Sequence, residues 1–208
     1  MAKLSKNAKP QKIIVQAENI IKRALDTNIK TIEKKFRSSA VICLIFCENN
    51  ELNILLTKRS ESLVNHSGEI SFPGGKIENV DKSPLEAALR EAKEEIGVPK
   101  KDIRILGQLD EIVTGTGFHI TPYVGILITT ENIEINFNEV SEIIKLPFQI
   151  ILNKKNHIQL SKKFERIKYN FWKIKYLDHN IWGATASILV GFANKIINLK
   201  DYQGNMEY

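Results

Sequence analysis

The chain has 208 residues, 43% hydrophobic and 26% charged, with a net charge of +6, enough apolar material for one sizeable core and no compositional call for a second. Its longest apolar stretch, residues 181–193, is too short to span a bilayer and contains Gly183, Thr185, Ser187 and Gly191, which excludes a membrane-spanning helix. The positive charge is diffuse, gathered in the first 35 positions and between Lys154 and Lys175 without an RNA-binding motif or regularly spaced aromatics, which argues against a nucleic-acid partner.

Residues 1–10 read as a disordered basic tail, and no secretory leader is visible in the first twenty positions, so a cytoplasmic location is expected. From residue 11 to about 35, Ile13, Ile14, Ala17, Ile20, Ile21, Ala24 and Leu25 recur at helical spacing, predicting an N-terminal helix packed on a main domain. The expected division is therefore a tail and helix over 1–37 and a main domain over 38–208. Strands are predicted at 39–47 and 52–58, with Glu48-Asn49-Asn50-Glu51 as the hairpin connection. Cys43 and Cys47 fall on one face of the first strand, about 13 Å apart, too far for a disulfide; they are expected as core thiols.

A glycine loop, Phe72-Pro73-Gly74-Gly75, precedes the best-specified helix. Ser83-Pro84-Leu85-Glu86 is a capping box with proline at the first helical position, and Gly97 followed by Pro99 stops the helix. Leu85, Ala88, Leu89, Ala92 and Ile96 form a stripe for a core. Further strands are expected at 103–112 and 120–129, joined by Thr114-Gly115-Thr116-Gly117. A short strand with a helical turn after Pro147 is expected within 141–152. One or two strands follow within 164–177, where Tyr169, Phe171 and Tyr176 are expected to pack, and residues 182–199 read as a closing helix. The fold class is α/β, an α/β/α sandwich around a mixed sheet with an additional N-terminal helix.

Glu91, Glu94 and Glu95 lie beside the helix's apolar stripe. At roughly 100° per residue, Glu91 and Glu95 are about 40° apart and Glu94 about 60° to the other side, so all three share an arc of about 100°. Like charges held this close repel. Without a cation one of them is expected to take up a proton near neutral pH, whereas Mg²⁺ or Mn²⁺ removes the conflict. Arg90, with Glu86 and Glu94 four residues to either side, is placed to hold the cluster.

Arg90-Glu91-Ala92-Lys93-Glu94-Glu95-Ile96-Gly97-Val98 resembles the second half of the Nudix box at every position. The first half departs from it: Gly75 stands fifteen residues before Arg90 rather than fourteen, and Asp81 is near the place of the box's first glutamate. The longer loop is similar to the coenzyme A pyrophosphatase branch. So is the upstream segment Leu55-Leu56-Thr57-Lys58-Arg59-Ser60, Gly68 and Phe72-Pro73-Gly74-Gly75, although Val64 replaces an arginine of the branch and Glu69 a glutamine. Leu109-Asp110-Glu111-Ile112-Val113-Thr114, Pro122-Tyr123-Val124-Gly125, Glu139-Val140 with Leu146-Pro147, and Ile181-Trp182-Gly183-Ala184-Thr185-Ala186 extend the likeness over about residues 38–195.

The resemblance implies a metal-dependent hydrolase that cuts the diphosphate of coenzyme A or acyl-CoA, giving 3′,5′-ADP and 4′-phosphopantetheine. ADP-ribose, NADH and related compounds are the nearest rival substrates, and a non-catalytic nucleotide- or RNA-binding module is the rival of another class. It implies Glu91 and Glu95 as metal ligands, with Glu94 as a third ligand or a support behind them, and Glu94 or the later Glu139 as acceptor of the water's proton, Glu139 reading equally as a surface glutamate. Arg59 is read as a phosphate contact or an exposed strand end, and His66 as a nucleotide contact, a proton donor or a surface histidine. Gly74 and Gly75 let backbone approach a ligand or offer N–H groups to phosphate. Lys76 pairs with phosphate or with the glutamates, or is solvated. His119 is expected to be structural and Trp182 a packing anchor. A homodimer is compatible with the chain.

Overall fold

Strand β1 (Arg37–Glu48) is apolar on both faces, as a strand covered from both sides must be. Ala40, Ile42, Leu44 and Phe46 belong to one buried cluster and Cys43 and Ile45 to another. β1 turns into β2 (Glu51–Arg59) through Asn49 and Asn50, whose φ values of 52° and 63° suit a tight two-residue hairpin. The computed structural model describes residues 8–25, 29–32, 37–61, 67–115, 117–164, 167–200 and 202.

The remaining strands of the main sheet are β3 (Ile70–Ser71), β4 (Gly74–Lys76), β5 (Ile103–Gln108), β6 (Ile112–Val113), β7 (Phe118–Leu127) and β8 (Val140–Pro147). Their order is β3-β2-β1-β7-β5, with β4 added to β1, β6 to β7 and β8 to β2. β1 and β7 run parallel, and the other pairs are antiparallel, so the sheet is mixed. Helix α2 (Pro84–Ile96) covers one face, its Ala88, Leu89, Ala92 and Ile96 meeting the even residues of β1. Helices α1 (Ala8–Leu25), α3 (Phe148–Leu152) and α4 (Gly183–Ile197) contribute to the cluster on the other. This is the expected α/β layering with an N-terminal helix.

Three boundaries differ from expectation. α1 begins at Ala8, inside the expected tail, and ends at Leu25 rather than near 35. The stretch 29–32 instead bonds to another part of the chain: the Ile32 N–H donates to the Glu111 carboxylate at 2.9 Å and the Glu111 N–H to the Lys30 carbonyl at 3.0 Å. Residues 1–7 lie outside those described. The strand expected over 103–112 breaks at 109–111, where the Leu109 N–H donates to the Pro122 carbonyl before the chain pairs again as β6. The third difference is a second sheet, β9 (Ile158–Phe164), β10 (Ile167–Tyr176) and β11 (His179–Trp182), three antiparallel strands where one or two were expected. Ile174 and Ile181 pair across β10 and β11 into the core, with Trp172 and Tyr176 packed against it. Phe171 is half-buried, and the Tyr169 side chain lies outside the described residues. Both thiols are free: Cys43 is buried, and Cys47 is partly buried against the same cluster. Among the described residues no helix is long and apolar enough to cross a membrane.

Candidate metal centre

The backbone that carries the glutamates is set by α2, which is capped at both ends. Ser83 Oγ accepts the Glu86 N–H at 3.2 Å, and Glu86 reaches back to the Lys82 N–H at 3.1 Å, one residue beyond the usual partner of a capping box. At the other end Gly97, at φ 71°, donates its N–H to the Lys93 carbonyl at 3.0 Å.

Glu91, Glu95 and Glu139 each offer one carboxylate oxygen within 4.8 Å of the others. Glu95 is the deepest, with a side chain 2% exposed, and accepts the Gly74 N–H at 3.2 Å. Arg59 Nη1 approaches it at 3.8 Å, too far for a hydrogen bond. Burial, aided by the charges of Glu91 and Glu139 and opposed by Gly74 and Arg59, pushes the Glu95 carboxyl up to about 8. Glu91, 15% exposed, is also raised by burial, against the pull of Arg90.

The two glycines have different local reasons. A side chain at Gly74, whose φ is 148°, would collide with the backbone of Ala40 and Val41 on β1. A side chain at Gly75 would overlap the Glu91 carboxylate. One glycine lets β4 lie against β1, and the other leaves room for an acidic group.

Glu139 comes from a different segment, the stretch that runs from the end of β7 to β8. That segment is laced to the C-terminal end of α2: Glu134 N–H donates to the Ile96 carbonyl and Asn136 N–H to the Glu95 carbonyl, each at 3.0 Å. The Asn136 side-chain amide donates to Glu139 Oε1 at 3.2 Å. Three convergent carboxylates, two of them partly or wholly withdrawn from water, form a hard-oxygen donor set that suits a divalent cation.

Glu94 stands outside this trio. Its side chain is 50% exposed and receives Arg90 Nη1 at 2.8 Å. Arg90 is a hub: Nε meets Asp81 Oδ1 at 3.0 Å, Nη2 meets Asp81 Oδ2 and the Lys76 carbonyl at 3.1 Å, and Nη1 reaches Glu91 at 3.0 Å. Arg90 holds the Asp81 carboxyl below the usual carboxylate range. Glu86, the other expected partner of Arg90, caps the helix instead. The Lys76 side chain is exposed, and its carbonyl is what serves the site. Arg59 is partly buried at the end of β2, its Nε buried without a hydrogen-bond partner.

His66 and Val64 lie outside the described residues. His119 is buried and meets Glu111 at 2.9 Å, a tie between β7 and the segment before β6. Trp182, expected as an anchor, keeps 49% exposure and touches Phe171 edge-on. Sequence reasoning assigned no role to Asp81 or Asn136. Asp81 was visible only as an acidic residue near the box's first position, and Asn136 only as a member of Asn136-x-Asn138-Glu139; neither hydrogen bond has a sequence signal of its own.

A family profile described as the NUDIX domain matches residues 36–166. The chain is 34% identical over 170 residues to an uncharacterized Nudix hydrolase NudL of Photorhabdus laumondii, covering 80% of this chain and 89% of that protein. A protein of the same description from Pectobacterium atrosepticum is 34% identical over 163 residues, covering 77% and 83%. The crystal structure of a MutT/nudix family protein from Enterococcus faecalis is similar with a TM-score of 0.53 at 16% identity, covering 99% of this chain and 79% of that one, which is a likeness of fold.

Proposed function

The chain belongs to the Nudix hydrolase family, and we propose that it is a divalent-metal-dependent pyrophosphatase acting on coenzyme A or acyl-CoA. The observation that carries the metal-dependent chemistry is the convergence of Glu91, Glu95 and Glu139 within 4.8 Å beside two guanidinium groups, Arg59 and Arg90. The choice of coenzyme A rests on the segment from Leu55 to Gly75 and its likeness to that branch.

A diphosphate bridge is anionic and resists attack by water until its charge is neutralised. Glu91 and Glu95 would hold Mg²⁺ or Mn²⁺, with a Glu139 oxygen close enough to join them. When bound, the cation supplies charge neutralisation and acidifies water. The chain's own residues do the rest. Arg90, clamped by Asp81, keeps Glu91 in place, and the Gly74 N–H orients Glu95. Arg59, with its free Nε, is our assignment for a contact to a substrate phosphate. The water oxygen bonds to one phosphorus, the bridging oxygen leaves with the other phosphate, and the water's proton passes to a carboxylate. We assign that proton to Glu139, because Arg90 engages Glu94. Cys43 and Cys47 as free thiols accord with a cytoplasmic setting.

Purified protein with Mg²⁺ or Mn²⁺ should convert coenzyme A to 3′,5′-ADP and 4′-phosphopantetheine, read by product chromatography beside ADP-ribose and NADH. Preference for either rival by a large factor would overturn the coenzyme A assignment and leave the metal chemistry standing. No hydrolysis of any of them would overturn both.

A further inference from the structure

We infer that Asn136 is the positioning residue of this site, holding the Glu139 carboxylate against Glu91 and Glu95; the inference rests on the metal-dependent reading above. Glu91 and Glu95 project from a capped helix and are already held, Glu91 by Arg90 and Glu95 by the Gly74 N–H. Glu139 comes from a segment between two strands, and its side chain has enough rotatable bonds to leave the cluster. The like charges of Glu91 and Glu95, within 4.8 Å, give it a reason to leave.

Asn136 counters this with both ends of its side chain. The amide NH₂ donates to Glu139 Oε1 at 3.2 Å, and the amide oxygen accepts the Asn138 N–H at 3.2 Å. A carboxylate only accepts and a backbone N–H only donates, so the two partners fix which way the amide faces. Its backbone is used as fully. The N–H donates to the Glu95 carbonyl at 3.0 Å, and the carbonyl accepts the N–H groups of Glu139 and Val140, both at 2.9 Å. One residue thus joins the helix that carries two of the carboxylates to the segment that carries the third. Aspartate or alanine would keep the backbone bonds; of the three, asparagine alone also donates to Glu139 while accepting from Asn138.

The test is a double-mutant cycle with Asn136→Ala and Glu139→Gln in the full chain, read as Mn²⁺ affinity by electron paramagnetic resonance and as kcat and KM for coenzyme A. Removing a residue that orients a metal-binding carboxylate lowers metal affinity about tenfold. Asn136→Ala should therefore weaken Mn²⁺ binding about tenfold and lower kcat more than it raises KM. In the Glu139→Gln background the same substitution should change Mn²⁺ affinity by less than about twofold, because the group it acts on is gone. Additive losses in the double variant, or wild-type Mn²⁺ affinity in Asn136→Ala, would overturn the inference while leaving the metal site intact. Wild-type affinity in Glu139→Gln would remove Glu139 from the cation and the inference with it. Asn136→Asp, whose ionised carboxylate keeps an acceptor for the Asn138 N–H and offers no donor to Glu139, serves if the alanine variant does not fold; it should show a non-additive loss at least as large.

Discussion

At the residue scale, adjacent glycines separate stability from activity. Gly74→Ala sets a Cβ against the β1 backbone at a φ that side chains avoid, and should destabilise the fold by about 1–3 kcal/mol or more, measured by urea unfolding. In Gly75→Ala the nearest atoms to the new Cβ are those of the movable Glu91 carboxylate, so most stability should survive while turnover in a steady-state assay falls at least tenfold. Glu95 gives a pH signature. Its folded-state carboxyl sits at about 8 against an ordinary 4.5, so between those values the folded protein binds the proton more tightly than the unfolded chain. Stability from this group is complete below about 4.5 and is lost as pH rises towards 8. The melting temperature of metal-stripped protein should accordingly fall across that window relative to Glu95→Gln. Added Mg²⁺ at pH 8 should restore it in the wild type and not in the variant. Glu95→Gln should also reduce turnover by orders of magnitude in a steady-state assay; an unchanged rate would remove Glu95 from the site.

At the scale of the element, α2 delivers two carboxylates to fixed points because both of its ends are tied. Ser83→Ala removes the acceptor for the Glu86 N–H and should lower stability by about 1 kcal/mol in thermal or chemical unfolding. Arg90 depends in turn on the loop before the helix, where Asp81 takes it with both oxygens. Asp81→Asn weakens that clamp without altering the helix. Turnover should drop about tenfold in the same assay, with the helical circular dichroism signal unchanged. The stretch preceding β8 is placed both by backbone bonds to the end of α2 and by Ile133, which packs on the cluster that α2 covers.

For the whole molecule, the position of α1 decides whether the N-terminal region is an appendage. Ile13, Ala17, Ile21 and Ala24 are almost fully buried in the cluster that also holds Val124, Ile126 and Phe192. Ile21→Ala should therefore destabilise the protein by about 2–5 kcal/mol in urea titration, the range for truncating a large aliphatic core residue. A surface helix would lose far less. The layers also explain how the carboxylates are brought together. α2 lies on one face of the sheet, β4 is hydrogen-bonded to β1 beneath it, and the chain returns past the end of α2 before entering β8.

The amino-acid sequence by itself determined α2, from Pro84 to the glycine at 97, because capping and stop signals act between near neighbours and need no tertiary partner. It determined the hairpin of β1 and β2 and the pairing of Glu91 with Glu95 on one helical arc for the same reason: periodicity is a local property. Only the tertiary structure decided that Glu139 stands with those two, that Glu94 turns to Arg90, and that Asp81 and Asn136 hold the cluster in place. It also decided where α1 ends and that β9 to β11 form a sheet of their own. These outcomes depend on hydrogen bonds and burial between distant segments, and such contacts are selected by how the layers pack, which no local spacing encodes.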